Sequence, residues 1–201
     1  MPALKLRGGA SYTGSLITES GAIISLLLEI SGETFIERLV RLMKVGGVDE
    51  VFPVVGGRHT PELLKECQRL GIEPIHNADP ERGPVSSIIC GLKEPGEWDL
   101  LLIHPVDVVG ITAADVQGLI ESSRKHPDHD AWIMSHEMRR GHPVMVRKEV
   151  VSSLATEGGP EHLRALLGQP HLKLHHEVTD NPMILEDVDD PEDWERVRDQ
   201  I

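Results

Sequence analysis

The segment Trp98-Asp99-Leu100-Leu101-Leu102-Ile103-His104-Pro105 decides the fold of this chain. Its central residues, Leu100 to Ile103, are all apolar, whereas a strand covered on one face alternates apolar and polar side chains. The segment therefore predicts a β-strand buried on both faces, as in parallel sheets covered by helices. Asp107 follows the strand, at the end where open α/β sheets bind ligands. A carboxylate there is a natural ligand for Mg²⁺, which prefers oxygen donors.

The rest of the chain alternates strand-like and helix-like segments. Thr34-Phe35-Ile36-Glu37 has the capping-box pattern of a helix start, and Thr60-Pro61-Glu62 reads as an N-cap followed by a first-turn proline. Met183 to Leu185 is predicted as a short late strand. The alternation predicts an α/β fold with three α/β/α layers around a mostly parallel, Rossmann-like sheet. We expect residues 1–201 to form a single domain of this kind.

Composition excludes several classes of partner. The formal net charge is −13, from 33 acidic and 20 basic residues, which argues against a nucleic-acid backbone or an anionic membrane surface. A nucleotide is not excluded, because it needs only a local pocket. No run of 18 apolar residues predicts a membrane span, and the first seven residues lack the apolar core of a signal peptide. We expect a cytoplasmic protein.

Cysteine and histidine usage gives no sign of a disulfide or zinc motif. Cys67 and Cys90 are the only cysteines, and both lie in apolar or helical patterns typical of buried, reduced thiols. The 11 histidines are dispersed along the chain, with no Cys-x-x-Cys zinc spacing beside them. The candidate chemistry therefore rests on other segments.

Glycines follow the first predicted strand. Ala3 to Leu6 is predicted as that strand, and Arg7-Gly8-Gly9-Ala10-Ser11 follows it as a loop. Glycines in such a loop let backbone N–H groups approach a phosphate closely. An ordinary turn has the same composition, so the run alone does not establish a phosphate site.

A polar loop precedes a predicted helix in the middle of the chain. It includes Asn77 and Gly83-Pro84, and Ser86-Ser87 follow in the first turn of the helix. Small residues at a helix start leave room for a flat base, and Asn and Ser side chains can hydrogen-bond to its edges. An ordinary capped helix after a polar loop accounts for the same residues.

Two charged segments complete the set of candidates. Arg139-Arg140-Gly141-His142-Pro143 is predicted as a basic turn, either an anion site or a solvated loop. Near the end of the chain, Asp190 fits a helix N-cap, where acids are favoured by the helix dipole. Asp187 and Asp189 alternate along the preceding backbone, so their side chains can point the same way. A second metal ligand from this segment would pair with Asp107.

Taken in order, these segments resemble the molybdenum-cofactor nucleotidyltransferases, the MobA-like group of the nucleotide-diphospho-sugar transferase fold. The family's opening phosphate loop aligns with Leu6 to Gly14. The other matching segments are Leu26 to Thr34, Asn77 with Gly83-Pro84-Val85-Ser86-Ser87, Pro105-Val106-Asp107-Val108-Val109, Gly141-His142-Pro143, and Asp187-Val188-Asp189-Asp190-Pro191-Glu192-Asp193.

The resemblance implies a Mg²⁺-dependent nucleotidyltransferase. Such an enzyme transfers CMP or GMP from CTP or GTP to a phosphorylated small molecule such as molybdopterin and releases pyrophosphate. The resemblance implies that Asp107 and Asp189 hold the metal, with Asp107 as the catalytic residue. It assigns nucleotide contacts to Gly8, Gly9, Ala10, Ser11, Asn77, Ser86 and Ser87, and the acceptor side to Gly141, His142 and Pro143. The base, the acceptor and the oligomeric state stay open.

The chain departs from the family pattern at two places. Val109 stands where the family has a second proline, and no Lys or Arg occurs between Gly8 and Glu37, where the family loop carries both. A rival alignment that uses Leu16 to Gly21 as strand and loop lacks these cations too. Removing one well-placed charge donor costs about 10²–10³ in rate. The alternative function is therefore a catalytically impaired relative that acts as a nucleotide- or cofactor-binding accessory module.

Overall fold

The computed structural model describes residues 6–10, 29–30, 32–57, 60–93 and 98–201. The strands are β1 (Leu6–Ala10), β2 (Glu29–Ile30), β3 (Glu33–Thr34), β4 (Glu50–Val55), β5 (Ile75–His76), β6 (Leu100–His104), β7 (Ala131–His136), β8 (Arg139–Arg147) and β9 (Leu174–Val178). The α-helices are α1 (Phe35–Val45), α2 (Thr60–Leu70), α3 (Pro84–Leu92), α4 (Ala113–Lys125), α5 (Lys148–Val151), α6 (Leu163–Leu167) and α7 (Pro191–Val197). Short 3₁₀ helices lie at Pro80–Arg82, Ser152–Ala155, Pro182–Leu185 and Arg198–Gln200.

One large sheet organises the fold. Within the described ranges it has seven strands in the order β5-β4-β1-β6-β8-β7-β9, and β2 and β3 form a separate two-stranded hairpin. Every neighbouring pair in the large sheet is parallel except the two that involve β8, which runs antiparallel to both β6 and β7. The prediction of a mostly parallel sheet is confirmed. The carboxyl ends of β1, β4 and β6 consequently lie at one edge.

Strand β6 is buried on both faces, as its apolar run predicts. Leu100 and Leu102 belong to a core cluster that includes residues of α1, α2 and α4. Leu101 and Ile103 belong to a second cluster that includes residues of α3, α5 and α6. Helices therefore cover the sheet on both sides, which confirms the three-layer α/β/α fold class. This burial fixes the end of β6, and with it the position of Asp107.

Helix starts follow the sequence signals at α1 and α7 but not at α2. The Thr34 hydroxyl accepts a hydrogen bond from the Glu37 N–H at 3.3 Å, which is the N-cap half of the predicted capping box of α1. The same hydroxyl donates to the Glu66 carboxylate of α2 at 2.7 Å. Helix α7 begins at Pro191 with the Asp190 carboxylate as its N-cap, also as predicted. Helix α2 begins at Thr60 itself, so Thr60 is not its N-cap, and the Thr60 hydroxyl donates to the Gly57 carbonyl oxygen at 2.8 Å.

Helix α7 packs near the carboxyl end of β6 and belongs to neither of the two main core clusters. Its Trp194 packs edge-on against Phe35 of α1, with ring centroids 5.4 Å apart. Val197 joins Phe35, Val109 and Val188 in a third apolar cluster. The segment that carries Asp187 and Asp189 is thereby tied to the body of the protein.

Three predicted elements have different boundaries in the structure. Within the described residues the first strand is Leu6–Ala10, because Gly8 and Gly9 pair with β4 and β6 on either side. It therefore extends beyond the predicted end at Leu6, and Ala3 to Lys5 lie outside the described residues. Met183 to Leu185 is part of a 3₁₀ helix and not a strand, since Pro182 starts it and the Asn181 carboxamide oxygen accepts the Met183 N–H at 3.0 Å. The prediction of a basic turn at residues 139–143 is also wrong.

That basic segment is the first half of strand β8. The turn lies just before it, at Glu137 and Met138, which have positive φ angles of 48° and 63°. Two consecutive residues in this region match the twist of a tight hairpin between β7 and β8. Arg139 and Arg140 therefore pair with His136 and Ser135 of β7, and the arginines are held on a strand.

Both cysteines are free thiols, but only Cys67 is buried as expected, and Cys90 is half-buried. Burial raises the pKa of Cys67 to about 11. Across the residues the structure describes, no helix is both long enough and apolar enough to cross a membrane.

Candidate functional site

Asp107 lies just beyond the carboxyl end of β6, where the opening strand predicts it. Its Oδ1 atom is buried and has no hydrogen-bond partner among the described residues. Burial is the main reason that the pKa of Asp107 is raised to about 6; the neighbouring Asp189 and Asp187 carboxylates also raise it, and hydrogen bonds from the Asp107 and Val108 backbone oppose the shift. No cationic side chain is among the causes that act on this carboxylate, so its negative charge has no oppositely charged partner there.

One backbone hydrogen bond holds the segment that carries two more carboxylates next to Asp107. The Val188 N–H donates to the Asp107 carbonyl oxygen at 3.0 Å, and the Val188 side chain is buried. Asp187 and Asp189 flank Val188 and are exposed. Burial and the Asp187 charge raise the pKa of Asp189 as well. The structure thus brings together Asp107 and Asp189, the pair predicted as metal ligands, and adds Asp187.

This group of side chains fits a hard divalent cation. All of its candidate donors are carboxylate oxygens, the ligand type that Mg²⁺ and Mn²⁺ prefer. The unpartnered Oδ1 of Asp107 and the mutual repulsion of the three carboxylates are both relieved by a bound cation. Asp107 would supply the buried ligand, and Asp187 or Asp189 the exposed one.

A cavity of about 460 Å³ opens beside Asp107. Its walls include Asp187, Gly141 and His142, so two residues of the predicted acceptor side border the predicted metal site. A second cavity of about 610 Å³ shares the wall formed by Arg139, Arg140, Gly141, His142, Leu163 and Arg164. One wall of the site is therefore cationic, although the chain as a whole is acidic.

Two histidines near the site are held neutral. Burial lowers the pKa of His104 to about 3 and that of His142 to about 4. The rings meet edge-on with centroids 6.2 Å apart, and His104 Nε2–H donates to the Val108 carbonyl oxygen at 2.8 Å. His104 is not among the predicted site residues, because a histidine at a strand end has no distinguishing pattern in the sequence. Its hydrogen bond shapes the turn that carries Asp107.

Gly141 has a packing role that its sequence motif does not reveal. A Cβ added there would lie 2.5 Å from the Ile184 carbonyl oxygen and 2.9 Å from Ile184 Cδ1. Only glycine lets β8 approach the Pro182–Leu185 helix this closely. Pro143 is buried, and the His142–Pro143 peptide bond is cis. The acceptor-side motif thus joins β8 to the segment that carries Asp187.

Asn77, Ser86 and Ser87, which are predicted to contact the nucleotide, lie together and hydrogen-bond to one another. The Asn77 side-chain NH₂ donates to Ser86 Oγ at 2.8 Å and to Ser87 Oγ at 3.0 Å. Its carboxamide oxygen accepts the Asp79 N–H at 3.0 Å. Asn77 is buried, and both of its side-chain protons are engaged. This network holds the loop before α3 against the end of β4.

Replacing Asn77 separates a structural role from a direct nucleotide contact. Asn77→Ala leaves two hydroxyls and one N–H without this partner, so we expect a loss of about 2–3 kcal/mol in unfolding free energy. Urea unfolding measures it, and Ser87→Ala, which removes one acceptor, should cost about 1 kcal/mol. Unchanged stability together with weaker nucleotide binding would instead indicate direct contact.

The glycine-rich run is not the loop that the sequence predicts. Gly8, Gly9 and Ala10 lie within the central strand β1, where Gly9 pairs with Ile103 and Ala10 pairs with His104. Hydrogen bonding to both neighbouring strands places them in the sheet despite the low strand propensity of glycine. Ser11 and the rival segment Leu16 to Gly21 lie outside the described residues. Strand β1 nevertheless ends at the same edge as β6, beside Asp107.

Comparison with known proteins agrees with this architecture. The chain is 29% identical to nicotine blue oxidoreductase of Paenarthrobacter nicotinovorans over 144 residues, which cover 66% of this chain and 69% of that protein. A nucleotidyl transferase from Methanothermobacter thermautotroptrophicus has a similar fold, with a TM-score of 0.78, 20% identity, and coverage of 98% of this chain and 97% of that one.

A second solved structure shares the fold and contains a metal. Rv0371C of Mycobacterium tuberculosis, in complex with manganese, superposes with a TM-score of 0.78 and 15% identity over 98% of this chain and 100% of that one. The family profile described as the MobA-like NTP transferase domain matches residues 25–177, which include Asp107, the Asn77 network and the Gly141 segment. The chain therefore belongs to the MobA-like NTP transferase domain family, a family of nucleotidyltransferases.

Proposed function

We propose that the protein is a divalent-metal-dependent nucleotidyltransferase that uses Mg²⁺ and transfers CMP or GMP from CTP or GTP to a phosphorylated small molecule such as molybdopterin. The observation that carries the proposal is the buried, unpartnered Oδ1 of Asp107 beside Asp187 and Asp189. A buried, unpaired carboxylate destabilises the fold when no cation is bound. A nucleotidyltransferase would use a bound cation to stabilise the phosphate charges of its substrate.

The cationic wall supports an anionic acceptor. Arg139, Arg140 and Arg164 border the cavities next to Asp107, and guanidinium groups match phosphate oxygens in a fork geometry. The same wall would exclude a cationic acceptor. Gly141, His142 and Pro143 would then shape the acceptor side around this anion, and the nucleotide would approach from β1 and the Asn77 loop.

The reaction forms one phosphorus–oxygen bond and breaks another. A phosphate oxygen of the acceptor attacks the α-phosphorus of the nucleotide, the bond to the β-phosphate breaks, and pyrophosphate leaves. Asp107 and Asp189 would hold the divalent ion, which would supply positive charge against the charge on the transferred group. The attacking oxygen is already ionised at neutral pH, so the site needs no general base. We call the shared wall of the two cavities, formed by Arg139, Arg140, Gly141, His142, Leu163 and Arg164, the acceptor wall. Neutral His142 fits the lack of a general base, because it adds no group that titrates near neutral pH to this wall.

Pyrophosphate release tests the function directly. Each nucleoside triphosphate is incubated with Mg²⁺ or Mn²⁺ and candidate phosphorylated acceptors, with molybdopterin among them. We expect release with CTP or GTP that requires both metal and acceptor. The proposal would be contradicted if no combination of nucleotide, metal and acceptor released pyrophosphate and the protein also did not bind nucleotide.

The arginines give a prediction specific to the acceptor. Arg140→Ala should raise the KM for the acceptor by about 10–100-fold, the equivalent of one lost charged hydrogen bond, with little change in the KM for the nucleotide. Steady-state kinetics measure both constants. Arg124→Ala on the exposed surface of α4 is the matched control. An equal rise in both constants would place Arg140 on the nucleotide instead.

A second candidate function has its own observation. No Lys or Arg lies between Gly8 and Glu37, so the triphosphate lacks the cations that the family loop supplies. A binding or accessory module would show nucleotide or cofactor binding by calorimetry without pyrophosphate release. Because the curated relative is named an oxidoreductase, reduced nicotinamides and flavins belong in the binding screen. Turnover would refute this second function.

A further inference from the structure

His126 and His129, which are three residues apart, meet the sequence-distant His175 at the opposite end of the sheet from Asp107. His126 ends helix α4, His129 lies in the following turn, and His175 lies on the edge strand β9. His175 pairs with Trp132 near the start of β7, which runs parallel to β6. The cluster therefore sits at the amino ends of the parallel strands, separate from the candidate active site.

The three rings are arranged around a common point. His126 and His175 stack with centroids 4.1 Å apart and planes at 20°, and His129 meets both rings nearly edge-on. One ring nitrogen from each residue lies within 4.8 Å of the other two. Three nitrogens on one tetrahedral zinc ion, each at about 2.0–2.1 Å from it, lie about 3.4 Å apart. Because an imidazole nitrogen binds a metal in the plane of its ring, binding requires the exposed His126 ring to rotate out of its stack on His175.

The backbone that carries the histidines is held in place. The Arg147 guanidinium donates to the His129 carbonyl oxygen at 2.8 Å and also to the Pro127 carbonyl oxygen. The Asp130 carboxylate accepts the Lys173 N–H at 2.8 Å, which joins the turn to the start of β9. The ligand set is therefore preorganised on a strand, a turn and a helix end, so ion binding would order little chain.

The surroundings also suit a cation. Glu177 Oε2 lies 3.7 Å from His175 Nε2, and Asp128 Oδ1 lies 3.2 Å from His129 Nδ1. The neutral imidazole is the form that binds metal. A carboxylate that accepts a hydrogen bond from the other ring N–H of a metal-bound histidine is a common supporting contact in metal sites.

We propose that His126, His129 and His175 form a zinc-binding site that fastens the end of α4 and the α4–β7 turn to the edge strand β9. Three imidazoles favour Zn²⁺ over Mg²⁺, which prefers oxygen. Glu177 or water completes the tetrahedral set. The site is structural in position, because it lies away from both cavities beside Asp107.

Zinc binding to an untagged protein tests this site. Asp107→Asn serves as the background, so that the carboxylate site does not contribute, and calorimetry is run in a large excess of Mg²⁺. We expect one equivalent of Zn²⁺ to bind. His126→Ala or His175→Ala should weaken binding at least about 100-fold, since loss of a supporting contact alone costs about 10–100-fold. The exposed His171 provides the control His171→Ala, which should bind as the background does.

Thermal unfolding gives an independent readout. At a Zn²⁺ concentration about 100 times the Kd, the Tm should rise by about 5–10 °C, and the rise should vanish in His126→Ala. His126 is exposed, so this variant is expected to fold. Absence of zinc binding to the background protein, or binding that survives both His126→Ala and His175→Ala, would overturn the proposal.

Discussion

Asp107→Asn is expected to lose nucleotidyl transfer and yet to make the metal-free protein more stable above pH 6. The amide cannot supply a charged oxygen to a cation, so the rate should fall by about 10²–10³ or more. The amide also removes the negative charge of the Asp107 carboxyl, whose pKa is raised to about 6, chiefly by burial. The two effects have opposite signs because the same carboxylate is costly to the fold and useful to the site.

The pH dependence gives the sign of the stability effect. The folded protein binds the Asp107 proton more tightly than the unfolded chain, where an Asp carboxyl titrates near pH 3.9. Stability of the metal-free protein therefore falls as pH rises from about 4 to 6, and the full penalty is present above pH 6. At pH 8 the variant should be more stable than the wild type by about 2–3 kcal/mol, and at pH 4 nearly equal to it.

Urea unfolding in EDTA at the two pH values measures this difference, and pyrophosphate release measures the rate. Asp180→Asn, at an exposed position, is the control and should leave both unchanged. A variant that is less stable than the wild type at pH 8 would contradict the burial argument. A variant with full turnover would contradict the role of Asp107 as the catalytic metal ligand.

Gly141→Ala is expected to destabilise the fold more than any other single added methyl group in the acceptor wall. The new Cβ would lie 2.5 Å from the Ile184 carbonyl oxygen and 3.0 Å from Leu185 Cδ2. The carbonyl belongs to a 3₁₀ helix, so it cannot move alone. We expect a loss of about 3 kcal/mol in unfolding free energy, the upper part of the range for overpacking.

Activity adds a second readout for this variant. The displaced helix leads directly into Asp187, so the folded fraction of Gly141→Ala should also turn over more slowly. Gly91→Ala, in the last turn of α3 with nothing described within 4 Å of the added methyl, is the matched control. It should be neutral or slightly stabilising, by up to about 1 kcal/mol. Equal stability of the two variants would show that β8 can shift to accept the methyl group.

The parts of the fold that sequence patterns predict are those with strong local signals. Leu100 to Ile103 indicate burial on both faces without any knowledge of their neighbours, and Thr34 and Asp190 mark their helices by local hydrogen bonding. Gly8 and Gly9 are mispredicted as a loop because glycine has little strand preference. Pairing with β4 and β6 places them in the sheet, and that pairing depends on distant residues.

The candidate site shows the same division. Asp107 is predictable because it follows a recognisable strand. Its approach to Asp189 depends on the hydrogen bond from Val188, which a family motif suggests but periodicity does not. His126 and His129 are close because they are three residues apart, but their meeting with His175 on β9 has no sequence signal, since it depends on the pairing of distant strands.

Strand β8 has a consequence for how this protein can diversify. It pairs Arg139 and Arg140 with His136 and Ser135 of β7, while only its later residues, Val144 to Arg147, also pair with β6. Because the two arginines are held on a paired strand, the acceptor wall has little freedom to adapt to a new molecule. A ladder position tolerates exchange of its side chain far better than insertion of a residue, which would flip every later side chain to the other face. Relatives with other acceptors should therefore differ by replacements at positions 139 and 140, and length changes should gather at the Glu137-Met138 turn.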